Sequence, residues 1–170
     1  MENRFLCRAK RKNWSELPRA QWWVEGYYVE LPVGNIAKKI VSSDNRVVCE
    51  DTESYIISIF TKQHSNYSPG SPLEIVKCEW HEIDPETVCQ YTGLTDKNGK
   101  KIWEGDVVGY WDTYSTENGL SEADCVGKVV WDDETMSYQV TNRLSAKSYE
   151  VLVECSVIGN VFDNPELLEV

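Results

Sequence analysis

The densest chemistry in this sequence is Cys78-Glu79-Trp80-His81, where a thiol and an imidazole stand in C-x-x-H spacing with Cys89 close behind. Zinc asks for four such ligands in a tetrahedron, so Cys49 or Glu82 would have to complete the set. No paired C-x-x-C and no H-E-x-x-H accompanies it, and small core cysteines account for the thiols better than a metal does. Cys78 or Cys89 with His81 would make a nucleophile and a base if the fold brought them together, but nothing in the spacing marks that pair out. The other histidine, His64, lies in a Ser-, Asn-, Pro- and Gly-rich stretch. Asp132-Asp133 would suit a Mg²⁺ site only if both carboxylates faced one point. Neighbours on a strand face opposite ways, and neighbours in a turn are solvated. There is no phosphate loop, nucleophile elbow or dinucleotide fingerprint. The chain therefore reads as a non-enzyme with no catalytic residue, no cofactor and no bound metal.

What remains is surface chemistry, and it is segregated along the chain. Residues 1–19 carry six Lys/Arg against two acids, whereas residues 79–170 carry six against nineteen, within a total of −11. Binding nucleic acid requires cations that displace counterions from phosphates, and the C-terminal half has the opposite sign. The basic cluster Arg8, Lys10, Arg11 and Lys12, with Trp14 beside it, leaves a nucleic-acid-binding strand as the alternative. The acids Glu122, Asp124, Asp132, Asp133 and Glu134 form a candidate surface for a basic macromolecular partner. The plainer account is that this charge only keeps the protein soluble.

Positioning these groups falls to β structure. Of 170 residues, 41% are hydrophobic, with seven Trp and nine Tyr, and the aromatic and β-branched types favour pleated surfaces. A chain of this size buries roughly 70% of its unfolded surface and needs no disulfide staples, so the six scattered cysteines read as reduced thiols. The N-terminus has no apolar run behind its basic residues, and no stretch nears the ~20 apolar residues of a membrane span. A cytoplasmic location and no membrane contact are expected.

Strands are expected at 4–9, 21–31, 36–41, 46–49, 55–60 and 73–80, forming an antiparallel meander with a bulge or bend at Gly26. Residues 63–72 are expected to be a flexible loop. Asp84-Pro85-Glu86-Thr87 has the capping acid and first-turn proline of a helical turn. From Val88 the strands shorten and alternate: 88–94, 101–103, 106–111, 127–131, 138–140, 150–156 and 156–162, with Asn98-Gly99 at the centre of a two-residue turn. A long polar loop is expected through Asn118-Gly119, and a turn at 132–134. The absence of βαβ spacing predicts a mainly β protein in which the meander is followed by a small SH3-like barrel or closed sheet, with at most one or two short helical turns. The domains divide as 1–87 and 88–170, or form one continuous domain. Val107, Val129, Trp131, Val140, Val151, Val153 and Ile158 are the expected core of the second module. Tyr91 and Trp103 would meet across strands.

Asp84-Pro85-Glu86-Thr87, Gln90-Tyr91-Thr92-Gly93-Leu94, Asp96-Lys97-Asn98-Gly99-Lys100 and Glu104-Gly105-Asp106 together resemble the signature of the YopX family of bacteriophages and prophages. Val157-Ile158-Gly159-Asn160-Val161-Phe162 and Arg4-Phe5-Leu6-Cys7-Arg8-Ala9 resemble its closing and opening segments. The resemblance implies a phage or prophage setting and supplies no catalytic residues, because the family's biochemical role is not established. Within the signature, Asp96, Lys97, Lys100, Glu104 and Asp106 would stand exposed at one end of the barrel, as a rim that loops commonly devote to ligands. The sequence thus points to an accessory protein that binds a host or phage protein. Direct nucleic-acid contact and a metal-dependent enzyme are the alternatives, and an exposed strand edge would permit a homo-oligomer.

Overall fold

The computed structural model describes residues 5–32, 40–41, 47–48, 52–62, 74–117, 119–142, 146–147 and 154–169. They fold as two compact units, Phe5–Val88 and one whose continuous part is Cys89–Val170. Both are antiparallel β structure joined by 3-10 turns. Among the described residues no helix is long and apolar enough to cross a membrane.

The first unit contains β1 (Leu6–Lys10), β2 (Trp23–Pro32), β3 (Ile40–Val41), β4 (Val47–Val48), β5 (Thr52–Lys62) and β6 (Glu74–Glu82). The order β6-β5-β2-β1 is the expected meander, and between β2 and β5 in the chain β3 pairs with β4. The expected loop 63–72 lies outside the described residues. Ala9, Val24, Ile56 and Ile83 make the core on one face, with Cys7, Tyr28 and Val88 packed against it. An isolated antiparallel bridge, Arg11 with Ile83, ties the end of β1 to the end of β6. Gly26 is not a bulge: the β1–β2 register runs through it unbroken, with Cys7 opposite. A side chain there would place its Cβ 2.2 Å from the Ile57 carbonyl oxygen, so glycine is needed for the close approach of β5.

The second unit opens with the hairpin of β7 (Cys89–Thr95) and β8 (Lys101–Trp103). It continues through β9 (Asp106–Thr116), β10 (Gly119–Asp132), β11 (Ser137–Thr141), β12 (Ala146–Lys147) and β13 (Ser156–Asn160), ordered β12-β11-β10-β9-β13. The expected SH3-like barrel is not found, since the described strands form an open sheet with β12 and β13 at its edges. The expected polar loop around Asn118-Gly119 is instead the far end of the β9–β10 ladder, which runs from Thr116 opposite Gly119 to Val107 opposite Lys128. No apolar alternation marks these residues in the sequence, and alternation is the strand signal a sequence offers. Among the described residues, the 3-10 turns Trp14–Glu16, Arg19–Gln21, Pro85–Thr87 and Pro165–Leu168 exceed the one or two expected. Pro85–Thr87 matches the expectation, with Asp84 accepting from the Glu86 N–H. Asn164-Pro165-Glu166 repeats the same start signal near the C-terminus.

Ile102, Val108, Tyr110, Val129, Val140 and Cys155 form the core of this unit. Val107, Val129 and Val140 are buried as expected, whereas Trp131 is 40% and Ile158 is 46% exposed. Val151 and Val153 lie outside the described residues. Trp131 stands beside the turn that ends β10. Its indole lies edge-on to Tyr138 at 5.0 Å and donates to Asp133, so it covers a hairpin end and does not fill the core.

Gly26→Ala should therefore destabilise the first unit by about 1–3 kcal/mol through overpacking. Trp131→Ala should cost well below the ~3–5 kcal/mol of a fully buried tryptophan. Chemical denaturation of each variant checks both.

Candidate functional site

The signature hairpin is where the rim was expected, and its acids turn inward. Asp96 is 5% exposed and Asp106 wholly buried. The Asp96 carboxylate accepts from the N–H groups of Asn98 at 2.8 Å and Lys100 at 2.9 Å, and from the Val157 N–H of β13 at 3.0 Å. Burial alone would push this carboxyl up, but the Val157, Lys100 and Asn98 N–H groups together hold it below the ordinary range. Asp96 thereby also decides the turn. The Gly99 N–H donates to the Asp96 carbonyl at 2.9 Å and the Asp96 N–H to the Lys100 carbonyl at 2.8 Å. Gly99 has φ +80° while Asn98 keeps a negative φ. Lys97 and Asn98 are therefore the central residues of a three-residue loop closed by a left-handed glycine. The expected Asn98-Gly99 two-residue turn is not formed, because an aspartate that captures the N–H two residues on favours the right-handed turn.

Asp106 accepts from the Trp103 N–H at 2.9 Å and closes the tight turn through Gly105, whose φ is +77°. Both acids were expected on the surface, and both leave the candidate surface because they satisfy backbone donors that would otherwise be buried without partners. Tyr91 and Trp103 meet across the hairpin as expected, their ring centroids 5.3 Å apart. Glu104 is half-buried, while Lys97 and Lys100 are exposed.

The remaining candidates fall in two places. Asp132 caps the β10–β11 turn, accepting from the Glu134 N–H at 3.0 Å and from the Thr135 hydroxyl at 2.8 Å; chiefly the Thr135 bond, then the Glu134 N–H, hold its carboxyl low. Asp133 takes the Trp131 indole N–H at 2.9 Å, and Glu134 is exposed. Glu122 and Asp124 lie on β10 some eight residues away, roughly 26 Å along an extended strand. The acids of residues 122–134 therefore do not form one cluster.

At the Glu122–Asp124 end, ladder register builds a face. Asp124 stands opposite Trp111, Glu122 opposite Thr113 and Val126 opposite Gly109, with Ser156 of β13 beyond Gly109. Alternate residues share a face, so Trp111, Asp124, Glu122 and Val126 project together. Trp111 is 59% exposed. With no side chain at Gly109, an open depression of about 490 Å³ forms, lined by Gly109, Trp111, Asp124, Val126, Ser156, Lys97 and Glu154, among others. Trp111, Gly109 and Glu154 had not been singled out. The available signal was the tryptophan two residues after a glycine in a strand, whose neighbours only the register reveals.

Two other chemistries find little support among the described residues. Cys78 and His81 lie three apart on β6 and so face opposite ways, and no group of three or more His, Cys, Asp or Glu is placed to hold a metal. Burial and the nearby Arg11 lower the His81 pKa, against Glu79. Burial, then Asp96, pushes the Cys155 thiol up to about 11, which keeps it unreactive near neutral pH. In the basic N-terminal cluster, Lys10 is 4% exposed, its ammonium 4.3 Å from the Trp14 ring centroid, 5.3 Å from Trp22 and 5.6 Å from Trp23. Arg8 lies over Trp23, and Lys12 is ion-paired with Glu82.

The family described as YopX protein matches residues 34–169. Among solved structures, the crystal structure of protein EF1440 from Enterococcus faecalis is similar over 96% of each chain, at 20% identity and a TM-score of 0.42. No curated protein matches the chain.

Because the folded pKa of Asp96 lies below its unfolded value, its stabilisation is present above about pH 4 and is lost as pH falls through the lower folded value. Asp96→Asn should cost about 2 kcal/mol near neutral pH, the worth of hydrogen bonds to a charged group. It should also flatten the acid limb of the stability profile, read by denaturation from neutral pH downward.

Proposed function

The chain belongs to the YopX family, and from that premise we propose that it is a phage or prophage accessory protein acting inside the host cell as a non-enzymatic binding module. Its target is a basic segment of a host or phage protein, taken on the outer face of the second unit. The observation that carries this reading is Trp111, 59% exposed and directly opposite Asp124 in the ladder. An exposed indole beside carboxylates suits an arginine or lysine, because the ring face attracts the cation and Asp124, Glu122 and Glu154 complement its charge. Val126 and the open floor at Gly109 leave room for the aliphatic stem.

Nucleic-acid binding by the N-terminal strand is the weaker reading. Three of its cations already lie against tryptophan rings or a glutamate within the first unit. The acids at Asp96, Asp106, Asp132 and Asp133 are engaged in turns, so only part of the charge is available to a partner.

Titration of the full chain with an arginine-rich peptide, followed by tryptophan fluorescence, tests the proposal. Trp111→Ala and Asp124→Lys should each weaken binding about tenfold, and added salt should weaken the wild type likewise. Asp133→Asn with Glu134→Gln should leave binding within about twofold, since solvated turn charges contribute little. Peptide binding indifferent to Trp111 and Asp124 would assign the acids to solubility alone. Binding of duplex DNA with a steep salt dependence would favour the alternative.

A further inference from the structure

We propose that Asn98 is a self-modification site: its side-chain amide is lost to attack by the Gly99 nitrogen, at a rate set by opening of the β7–β8 loop, and the product unlatches that loop from β13. This does not rest on the reading of the outer face. Asn98 and Asn118 are the asparagines that precede a glycine in this chain. Glycine has no Cβ to shield its nitrogen, so such a pair can close on itself. Asn98 is exposed, and its amide nitrogen lies 3.4 Å from an Asp96 carboxylate oxygen and 3.4 Å from the Ser156 hydroxyl. Both contacts are longer than an ordinary hydrogen bond, so little holds the leaving group.

In the reaction the Gly99 nitrogen bonds to Asn98 Cγ, the Cγ–Nδ2 bond breaks, and ammonia leaves with the proton given up by the Gly99 nitrogen. Water then opens the five-membered ring at either carbonyl, which leaves an aspartate or an isoaspartate at position 98. The attack needs the nitrogen within about 3–3.5 Å of Cγ and consumes its N–H. In the folded loop that N–H donates to the Asp96 carbonyl at 2.9 Å, and the Asn98 N–H donates to the Asp96 carboxylate at 2.8 Å. Closure of the ring therefore proceeds from the opened loop.

The structure also decides what the product does. A new carboxylate stands where the amide was, against the Asp96 oxygen that takes the Val157 N–H at 3.0 Å. Asp96 is 5% exposed, and two carboxylates at that separation repel. Isoaspartate also adds a methylene to the loop backbone, which displaces the Lys100 N–H that Asp96 holds at 2.9 Å. Lys97 and Lys100 flank the position, but both are exposed and offset little of the repulsion. In either product the hold of the loop on β13 weakens.

Peptide mapping of the full chain after incubation in warm, mildly alkaline buffer reads the conversion, with the chain unfolded in urea as reference. Position 98 should convert at least about tenfold more slowly in the native chain than in urea, and Asp96→Ala should recover most of that difference. Asn98→Gln should yield no product at this position. Asn98→Asp reads the latch directly: amide hydrogen exchange at Val157 should quicken about fivefold, while exchange in the β10–β11 ladder stays within about twofold of wild type. Equal rates in the native chain and in urea, no product at position 98 in either, or exchange at Val157 unchanged by Asn98→Asp would each overturn the inference.

Discussion

A backbone polar group that leaves a β ladder has to find another partner, and in both units a short acidic turn supplies it. In the second unit Asp96 takes three N–H groups, two from its own loop and one from β13, which fastens the β7–β8 hairpin to an edge of the main sheet. In the first unit the Thr87 hydroxyl accepts the Lys10 N–H at 2.8 Å and donates to the Asp84 carbonyl at 2.7 Å, and the Asp84 N–H returns to the Lys10 carbonyl at 2.9 Å. The most recognisable stretch of the sequence, residues 84–106, is thus largely the chemistry by which strand ends are satisfied. A recognisable motif here marks architecture, and the search for function moves to residues outside it.

That division also sorts the charge. Acids in turns, such as Asp96, Asp106, Asp132 and Asp133, are engaged by N–H or O–H donors or by an indole, whereas Glu122 and Asp124 are exposed on a sheet face with Trp111 directly opposite Asp124. The net charge of −11 therefore overstates what a partner could meet. The basic N-terminal cluster behaves in the same way. Lys10 spends its ammonium on three tryptophan rings, an arrangement that stabilises the crossing from β1 to β2 more readily than it serves a phosphate.

Local rules were legible wherever a few neighbouring residues suffice. The turn at Asp84-Pro85, the pairing of Tyr91 with Trp103, the meander of the first unit and the turn at 132–134 all follow from caps, prolines, glycines and alternation. The β9–β10 hairpin did not, because its distal residues lack an apolar face and alternation is the only strand signal a sequence offers there. The turn at Asn98-Gly99 was legible as a hairpin but not as a turn type, since the deciding bond comes from the side chain of Asp96.

By itself, then, the sequence determined an antiparallel β protein without a recognisable reaction centre, along with the places where its chain turns, because strand preference and turn chemistry are properties of neighbouring residues. Only the tertiary structure decided which side chains meet water. Asp96 and Asp106 went inside while Trp111, Trp131 and Ile158 stayed partly outside, and the described strands of the second unit form an open sheet where closure had been expected. Exposure depends on which strand lies alongside and on which face packs against what. In an antiparallel ladder those facts are set by register between segments far apart in the chain, and no local pattern carries them.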